Sequence, residues 1–448
     1  MSCYAPLWFK SDYKKYPRCY TESGKPLEIA SPFSENVFKA DSRAFVELMK
    51  HIREVDAKEN TVIMIQVENE IGMLESARDH SKTADRLFES EIPNELKKYL
   101  KSNSKTLHPW LAEKWEEAGG KTDGTWEEVF GKDIYTDEIF MAWQYAAYVE
   151  KMIQKGREVY NLPMYVNAAM NSRGRKPGEY PSAGPLAHLI DIWKCAAPGI
   201  DLLAPDIYDK GFTDWVSQYK LHNNPLFIPE IRLEANDGVR AFYVFGQHDA
   251  IGFSPFSIED APDDGNYKLT KGYRKLKELM PVITKYQGKG MMKGVLFDGE
   301  NREKNIEWDG MTLVCKHFFT LPWDARATDG SIWPEGGGLI IRLNELEYIV
   351  AGSGIVMEFK TPDEMKGYVK KELGEDGFVA SGGKATAKEV WNNGKRIGIG
   401  SVDEVSVDSN GNLKYLRRLN GDQDHQGRHV RIGVDDFSIL HVKLYEYR

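Results

Sequence analysis

Short apolar segments alternate with amphipathic helices along the first half of the chain, and this alternation constrains the fold more than any other feature. Each apolar segment has the length and composition of a strand buried inside a sheet. Strand–helix alternation favours a parallel sheet with helical crossovers. The predicted strands are 61–67, 163–167, 201–208, 225–231 and 250–256, and the predicted helices between or before them are 42–55, 138–160, 187–196, 212–221 and 239–247.

These segments predict an α/β protein with a (β/α)8 barrel of the TIM type over residues 1–287. Residues 71–137 are mostly helical and polar and are far longer than an ordinary loop between a strand and a helix, so a helical insertion is expected there. From residue 288 the apolar runs shorten, and the segment 404–416 has alternating residues around the turn signal Asn410–Gly411. A smaller all-β, sandwich-like domain is therefore expected over 288–448.

Composition excludes several classes of function. The net charge is −9, and no basic run is interleaved with aromatic residues, so nucleic acid is not an expected partner. No apolar run approaches the roughly 20 residues that cross a bilayer, so no membrane partner is expected. The four cysteines are scattered without metal-ligand or disulfide spacing. The 12% of aromatic residues fits a sugar-stacking protein, although a large core explains it more simply.

Polar side chains stand at the carboxyl ends of the predicted strands, which form the active-site face of such a barrel. Placing carboxylates there is costly unless they face a wet or functional cavity. The alternative is that the acids cap the helices that follow. The side chains concerned are Glu68, Asn69, Glu70, Asn167, Asp206, Tyr208 and Glu230.

Glu70 and Glu230 follow different strands, so the barrel would bring them together across its mouth. Hydrolysis of a glycoside with retention needs such a pair about 5 Å apart, one carboxyl to protonate the leaving oxygen and one to attack the anomeric carbon. Shared burial separates their pKa values, which keeps one protonated and the other ionised.

The segment 66–72, Gln-Val-Glu-Asn-Glu-Ile-Gly, closely resembles the Q-V-E-N-E-Y-G signature of glycoside hydrolase family 35, the β-galactosidases. The block 186–208 is similar to bacterial members that carry a trailing β-domain. The resemblance implies an exo-acting retaining hydrolase of terminal β-galactosides, including those of plant polysaccharide side chains, with no metal or cofactor. It also implies that Glu70 is the acid/base and Glu230 the nucleophile.

Further substrate-binding residues are expected around this pair. The resemblance implies that Asn69 bonds the sugar 2-hydroxyl and that Tyr208 orients the nucleophile. Asn167 stands at another strand end. The aromatic candidates are Tyr4, Trp8 and Phe253, of which Trp8 and Phe253 are the expected sugar platforms.

The chain departs from the family at three places. Ile71 replaces the tyrosine of the signature, and the run 3–8 lacks the glutamate of a C-A-E-W-like segment. One crossover helix precedes the predicted strand 61–67, so the barrel is expected to lack its first two strands and most of the third. The natural gene is therefore expected to begin upstream. The N-terminus as written has no export signal, but the compartment stays open, because a longer parent could be periplasmic or secreted.

Two rival functions stay open. The pair of glutamates does not read hydroxyl configuration, so a β-glycosidase for arabinosides or xylosides is one alternative. A catalytically inactive glycan-binding protein is the other, because the barrel is incomplete. Residues 422–429 gather acids and histidines that could bind a metal, but a solvated loop is the preferred interpretation.

Overall fold

The computed structural model of the protein describes residues 4–171, 173–221, 223–262, 265–366 and 394–448. The chain forms two compact units. The first comprises Met1–Arg232 and Gly252–Ser254, and the second comprises Leu233–Ile251 and Pro255–Arg448. No helix in the described part of the chain is long and apolar enough to cross a membrane.

The first unit combines helices with a parallel sheet and a small antiparallel hairpin. Its elements are α1 (Leu7–Ser11), β1 (Arg18–Tyr20), β2 (Pro26–Ala30), α2 (Glu35–Asp56), β3 (Ile65–Gln66), α3 (Lys82–Phe88), α4 (Asn94–Asn103), α5 (Pro109–Glu117), α6 (Trp126–Phe130), α7 (Ile134–Val159), β4 (Met164–Ala169), α8 (Ile190–Ala196), β5 (Leu202–Ile207), α9 (Phe212–Tyr219), β6 (Phe227–Ile231) and β7 (Gly252–Pro255).

The parallel sheet has five strands in the order β3-β4-β5-β6-β7 and is curled like half of a barrel. Every residue of β5 is buried, as expected for a strand covered on both faces. The register pairs Asn167 with Ala204 and Asp206 with Glu230. A parallel sheet with helical crossovers is thereby confirmed, whereas the complete eight-stranded barrel stays a prediction.

The strand expected at 61–67 is much shorter in the structure. Only Ile65 and Gln66 form β3, and Ile63 is 67% exposed. The prediction of a strand buried on both faces was wrong for its first half, because β3 lies at the edge of the sheet and its one neighbour in the described residues is β4. The backbone N–H groups of Thr61 and Val62 instead donate to the Asp56 carboxylate at 3.0 and 2.8 Å.

The segment 71–137 carries the four helices α3 to α6, as its helical pattern predicts. Their apolar faces are buried in the same core as the sheet. This core includes Leu96 from α4, Leu111 from α5 and Trp126 from α6. The capping box of α6 is complete, because Thr125 and Glu128 bond each other's backbone N–H groups.

The second unit consists of antiparallel sheets with two long helices. Its elements are α10 (Asp237–His248), α11 (Lys268–Tyr286), β8 (Met292–Phe297), β9 (Glu303–Trp308), β10 (Met311–His317), β11 (Gly336–Asn344), β12 (Glu347–Ser353), β13 (Ile355–Lys360), α12 (Pro362–Lys366), β14 (Arg396–Val407), β15 (Leu413–Leu419), β16 (Val430–Ile432) and β17 (Ser438–Tyr447).

One sheet of the second unit has the order β15-β14-β17-β12-β11-β8, and the other has the order β16-β13-β10-β9. Buried side chains of both sheets join in a single hydrophobic cluster, which includes Val350 from the first and Met357 from the second. The hairpin predicted at 404–416 is present as β14 and β15, which pair with Val405 opposite Tyr415. The antiparallel sheets expected of the C-terminal region are therefore confirmed in the described residues, whereas an all-β, sandwich-like domain stays a prediction.

Helices α10 and α11 group with the second unit, whereas the boundary predicted at 287–288 assigns both to the barrel. A glycine explains the close packing of α10 on the six-stranded sheet. A Cβ atom at Gly246 would stand 2.5 Å from the carbonyl oxygen of Lys293 in β8 and 2.7 Å from Leu339 in β11. The bare backbone of Gly246 therefore lets α10 lie directly on this sheet.

Candidate active site

Glu70 lies four residues beyond Gln66, the last residue of β3. Its φ of +46° is in the left-handed region, which an L-residue other than glycine adopts only at a cost. The Glu70 N–H donates to the side-chain oxygen of Asn167 at 3.0 Å. This bond from a neighbouring strand holds the turn in which the Glu70 carboxyl leaves the strand direction.

Glu230 lies near the end of β6, and the hydroxyl of Tyr208 donates to its Oε1 atom. Tyr208 follows β5, and its backbone is fixed by Arg232, because the Tyr208 carbonyl oxygen accepts from the Arg232 guanidinium at 3.1 Å. The guanidinium carbon also lies 5.7 Å from the centre of the Tyr208 ring. The structure thus places the expected nucleophile and the tyrosine expected to orient it in direct contact.

Asp206 is the third carboxyl group at this edge of the sheet. It is 1% exposed, and its Oδ2 accepts from the amide nitrogen of Asn167 at 2.5 Å. The carboxyl oxygens of Glu70, Asp206 and Glu230 lie within 4.8 Å of one another. The glutamates predicted from two different strands therefore meet at one place.

The electrostatics of this cluster separates the protonation of its members. Burial first, and repulsion by Glu230 second, raise the pKa of Glu70, while a hydrogen bond with Asp206 opposes the rise. Burial, followed by repulsion from Glu230 and Glu70, raises the pKa of Asp206 to about 8. Burial and the bond to Glu230 also raise the pKa of the Tyr208 hydroxyl. Asp206 therefore keeps at neutral pH a proton that an isolated aspartic acid would lose.

Asn69 stands beside the cluster with an exposed side chain. Its side-chain oxygen accepts from Gln66 at 2.9 Å and from Asn167 at 3.3 Å. Both bonds use the amide oxygen of Asn69 and fix the orientation of the amide. Its nitrogen takes part in neither bond, so it can donate to a sugar hydroxyl, as the prediction requires. Asn167, the other predicted polar residue, is 1% exposed and links Asn69, Glu70 and Asp206.

The aromatic residues predicted to bind substrate lie in different surroundings. Tyr4 is 95% exposed, and Trp8 in α1 is 51% exposed and meets the rings of Phe9 and Tyr16 edge to face. Phe253 in β7 is 8% exposed and contacts the ring of Phe212, so most of its surface is part of the core. The substrate-binding roles of these three residues stay predictions, as does the role of Trp8 and Phe253 as sugar platforms.

The same three carboxyl groups are the one set of three or more His, Cys, Asp or Glu side chains in the described residues whose ligand atoms lie close enough to share a metal ion. Oxygen atoms of this kind suit a hard cation such as Mg²⁺ or Ca²⁺. Residues 422–429 do not form such a set; there His425 and His429 stack on each other at 4.8 Å, and His425 stacks on Trp323 at 4.7 Å.

Sequence reasoning placed Asp206 at a strand end but did not include it, or Arg232, among the site residues. Asp206 precedes Tyr208 by two positions, so the alternation of a strand puts both on one face. This two-residue spacing from Tyr208 was the sequence feature that could have identified Asp206 as a site residue. Arg232 follows Glu230 at the same spacing, but its role depends on a backbone contact with β5 that the sequence does not display.

Fold and site together define an α/β protein whose curled parallel sheet carries three neighbouring carboxyl groups at the carboxyl ends of its strands. Residues 269–431 match a family model described as a domain of unknown function (DUF5597). This match lies within the second unit and contains none of the site residues. No curated protein sequence matches the chain.

Proposed function

We propose that the protein is a retaining, exo-acting β-glycosidase that hydrolyses terminal β-galactosides by double displacement. The observation that supports the proposal most directly is the proximity of the Glu70 and Glu230 carboxyl oxygens, which lie within 4.8 Å. Retaining glycosidases hold their two carboxyl groups about 5 Å apart, whereas inverting enzymes leave more room for a water molecule. The galactoside specificity rests on the resemblance of the segment 66–72 to family 35.

In the first step, Glu70 gives its proton to the glycosidic oxygen while the Glu230 carboxylate attacks the anomeric carbon. The bond to the leaving oxygen breaks, the aglycone departs as an alcohol, and a glycosyl ester of Glu230 forms. The raised pKa of Glu70 supports the first role, because an acid must hold its proton until the bond breaks. The Tyr208 hydroxyl keeps one Glu230 oxygen in place.

In the second step, water gives a proton to the Glu70 carboxylate and its oxygen to the anomeric carbon. The ester bond breaks, which returns Glu230 as a carboxylate and Glu70 as an acid, and the sugar leaves with its original configuration. Both steps use only the two glutamates and water, so the proposed reaction needs no metal or cofactor.

The proposal includes a fold of the (β/α)8 type for the first unit. Its support is the curl of the five parallel strands and the position of the polar residues, which lie near or just beyond the carboxyl ends of β3 to β6. This is the end at which barrels of this type bind substrate.

The first experiment is release of nitrophenol from an aryl β-galactoside, with Glu70→Gln as the inactive variant. We expect turnover by the unmodified chain and its loss in the variant, with NMR of the released sugar showing the β-anomer first. Aryl β-xyloside and aryl arabinoside measured alongside test the rival specificities. EDTA should leave the rate unchanged, because no step involves a metal.

Three results would contradict the proposal. Preference for the xyloside or the arabinoside would remove the galactoside specificity but keep the mechanism. Initial release of the α-anomer would remove retention. Binding of galactosides without turnover by the unmodified chain would identify a glycan-binding protein instead.

A further inference from the structure

Asp206 takes no part in the two steps proposed above, yet it lies between the residues that do. It is 1% exposed, and its Cα is the register partner of Glu230 across β5 and β6. Side chains of register partners in a parallel pair project from the same face of the sheet. The side chain of Asp206 therefore projects from the same face of the sheet as that of Glu230, but Asp206 is fully buried.

The contacts of Asp206 connect it with the backbone of the acid/base. Its Oδ2 accepts from the Asn167 amide nitrogen at 2.5 Å, and the Asn167 oxygen accepts from the Glu70 N–H at 3.0 Å. The same amide nitrogen lies 3.3 Å from the Asn69 oxygen. Asp206 thus fixes which way the Asn167 amide faces, and that orientation supports the left-handed turn at Glu70.

The other oxygen of Asp206, Oδ1, is buried and meets no hydrogen-bond donor in the described part of the chain. An ionised carboxylate with an unpaired buried oxygen is unfavourable, whereas a protonated one carries no charge and can itself donate. The titratable side chains that act on Asp206, or on which it acts, are Glu70, Glu230, Tyr165, Tyr208 and Tyr219. These neighbours are acids, and none can supply a positive charge that would favour ionisation.

We propose that Asp206 is a positioning residue that anchors Asn167 and holds a proton beside Glu70 and Glu230, so that the cluster of three carboxyl groups stays protonated to higher pH than the two glutamates would alone. This inference rests on the proposed function, because it describes how that site keeps its acid form. Protons in such a cluster belong to the interacting groups together. The last proton leaves at higher pH when three carboxyl groups share it than when two do.

The test is the pH profile of kcat/KM for Asp206→Asn, which keeps the size of the side chain and removes its proton. The basic limb of this profile reports the loss of the proton from the acid. We expect this limb to move to lower pH by about one unit, because two carboxyl groups instead of three then share the last proton of the cluster. The matched control is Asp214→Asn in α9, whose carboxylate is 70% exposed, and its limb should not move.

Asn167→Ala tests the same idea in the opposite direction. The hydrogen bond from Asn167 lowers the pKa of Asp206, so its loss should raise that pKa and move the basic limb to higher pH. Opposite shifts in the two variants support the proposal. A fall of kcat with unmoved limbs in both would show a purely structural role and overturn it.

A second readout does not depend on turnover. The pKa of Asp206 is about 8 in the folded protein and about 4 in an unfolded chain. The folded state then binds more protons between these values, so wild-type stability falls relative to Asp206→Asn as pH rises from about 4 to 8. We expect the melting temperature of the variant minus that of the wild type to increase over this range.

The two failures are therefore distinguishable. If no aryl glycoside is hydrolysed but the melting difference grows with pH, the proposed function fails while the protonated Asp206 stands. If turnover is observed and the melting difference stays constant, the proposed function stands and the role of Asp206 is overturned.

Discussion

The residues at the carboxyl ends of β3, β5 and β6 have an arrangement that lowers the stability of the folded protein. Three carboxyl groups share a partly buried space, and burial first and repulsion among them second raise the pKa values of Glu70 and Asp206. The left-handed backbone of Glu70 adds a further cost of about 1 to 2 kcal/mol. Strain and perturbed pKa values of this kind concentrate where a protein does chemistry.

Replacement of Glu230 by glutamine should abolish turnover and leave the fold intact. The amide has the shape of the carboxylate but cannot form the glycosyl ester, so we expect the rate to fall by at least about a thousandfold. Hydrolysis of the aryl galactoside and circular dichroism measure the two effects. Glu158→Gln, in a surface pair on α7, is the control and should be fully active. Activity near that of the wild type would remove Glu230 from the mechanism.

Tyr208→Phe should reduce turnover without abolishing it. The variant loses one hydrogen bond to a charged group, which contributes about 1.5 to 3 kcal/mol, so we expect kcat to fall by about tenfold to a hundredfold. Tyr208 is 39% exposed, so the melting temperature of the variant protein should differ little from that of the wild type. An unchanged kcat would show that the hydroxyl does not orient the nucleophile.

At the scale of elements, the sequence predicted the central strands well. The observed bounds of β4, β5 and β6 lie within two residues of the predicted ones, because each is a short and mainly apolar run. β3 was overestimated, since an apolar run does not reveal whether a neighbouring strand covers it. The meeting of Glu70 with Glu230 followed from their common position at strand ends. The burial of Asp206 did not, because it depends on packing against Asn167 of the neighbouring strand β4.

The helices show a different limit of sequence reasoning. The pattern of α10 predicted its bounds within two residues, yet it could not show on which sheet the apolar face packs. Phe242 and Val244 would be equally suited to a barrel or to a sandwich. The decisive contacts are made by Gly246 and the facing Gly294, and a glycine inside a helix signals close approach without naming the partner.

Gly246→Ala should destabilise the second unit by about 1 to 3 kcal/mol, because its Cβ would stand 2.5 Å from a backbone oxygen of β8. Alanine is the better helix former by about 1 kcal/mol, so the sign of the change distinguishes close packing from propensity. Urea unfolding measures it. The control is Gly299→Ala, where a Cβ meets nothing within 4 Å, and its unfolding midpoint should not fall. A stabilised Gly246→Ala would contradict the packing of α10 described here.

At the scale of the whole molecule, the boundary of the units differs from the one that the sequence predicts. A fragment of residues 1–287 would keep α10 and α11 but lose β8 and β11, on which α10 packs. Its exposed apolar faces should make it bind a hydrophobic dye and aggregate. A fragment of residues 233–448 contains the entire second unit and should unfold cooperatively as a monomer. The reverse pattern in light scattering and dye binding would place the boundary at 287–288.

The assignment of residues 233–251 to the second unit also limits how segments of this protein can be exchanged with those of other proteins. The segment for α10 is encoded between β6 and β7, which are neighbouring strands of the first unit. A single crossover at any point after β7 would therefore pass on the six-stranded sheet without the helix α10 that packs on it, and leave that helix behind in a foreign context. Recombination of this gene should preserve the two units as one heritable piece, and engineered chimaeras need three junctions, one on each side of α10 and one after β7.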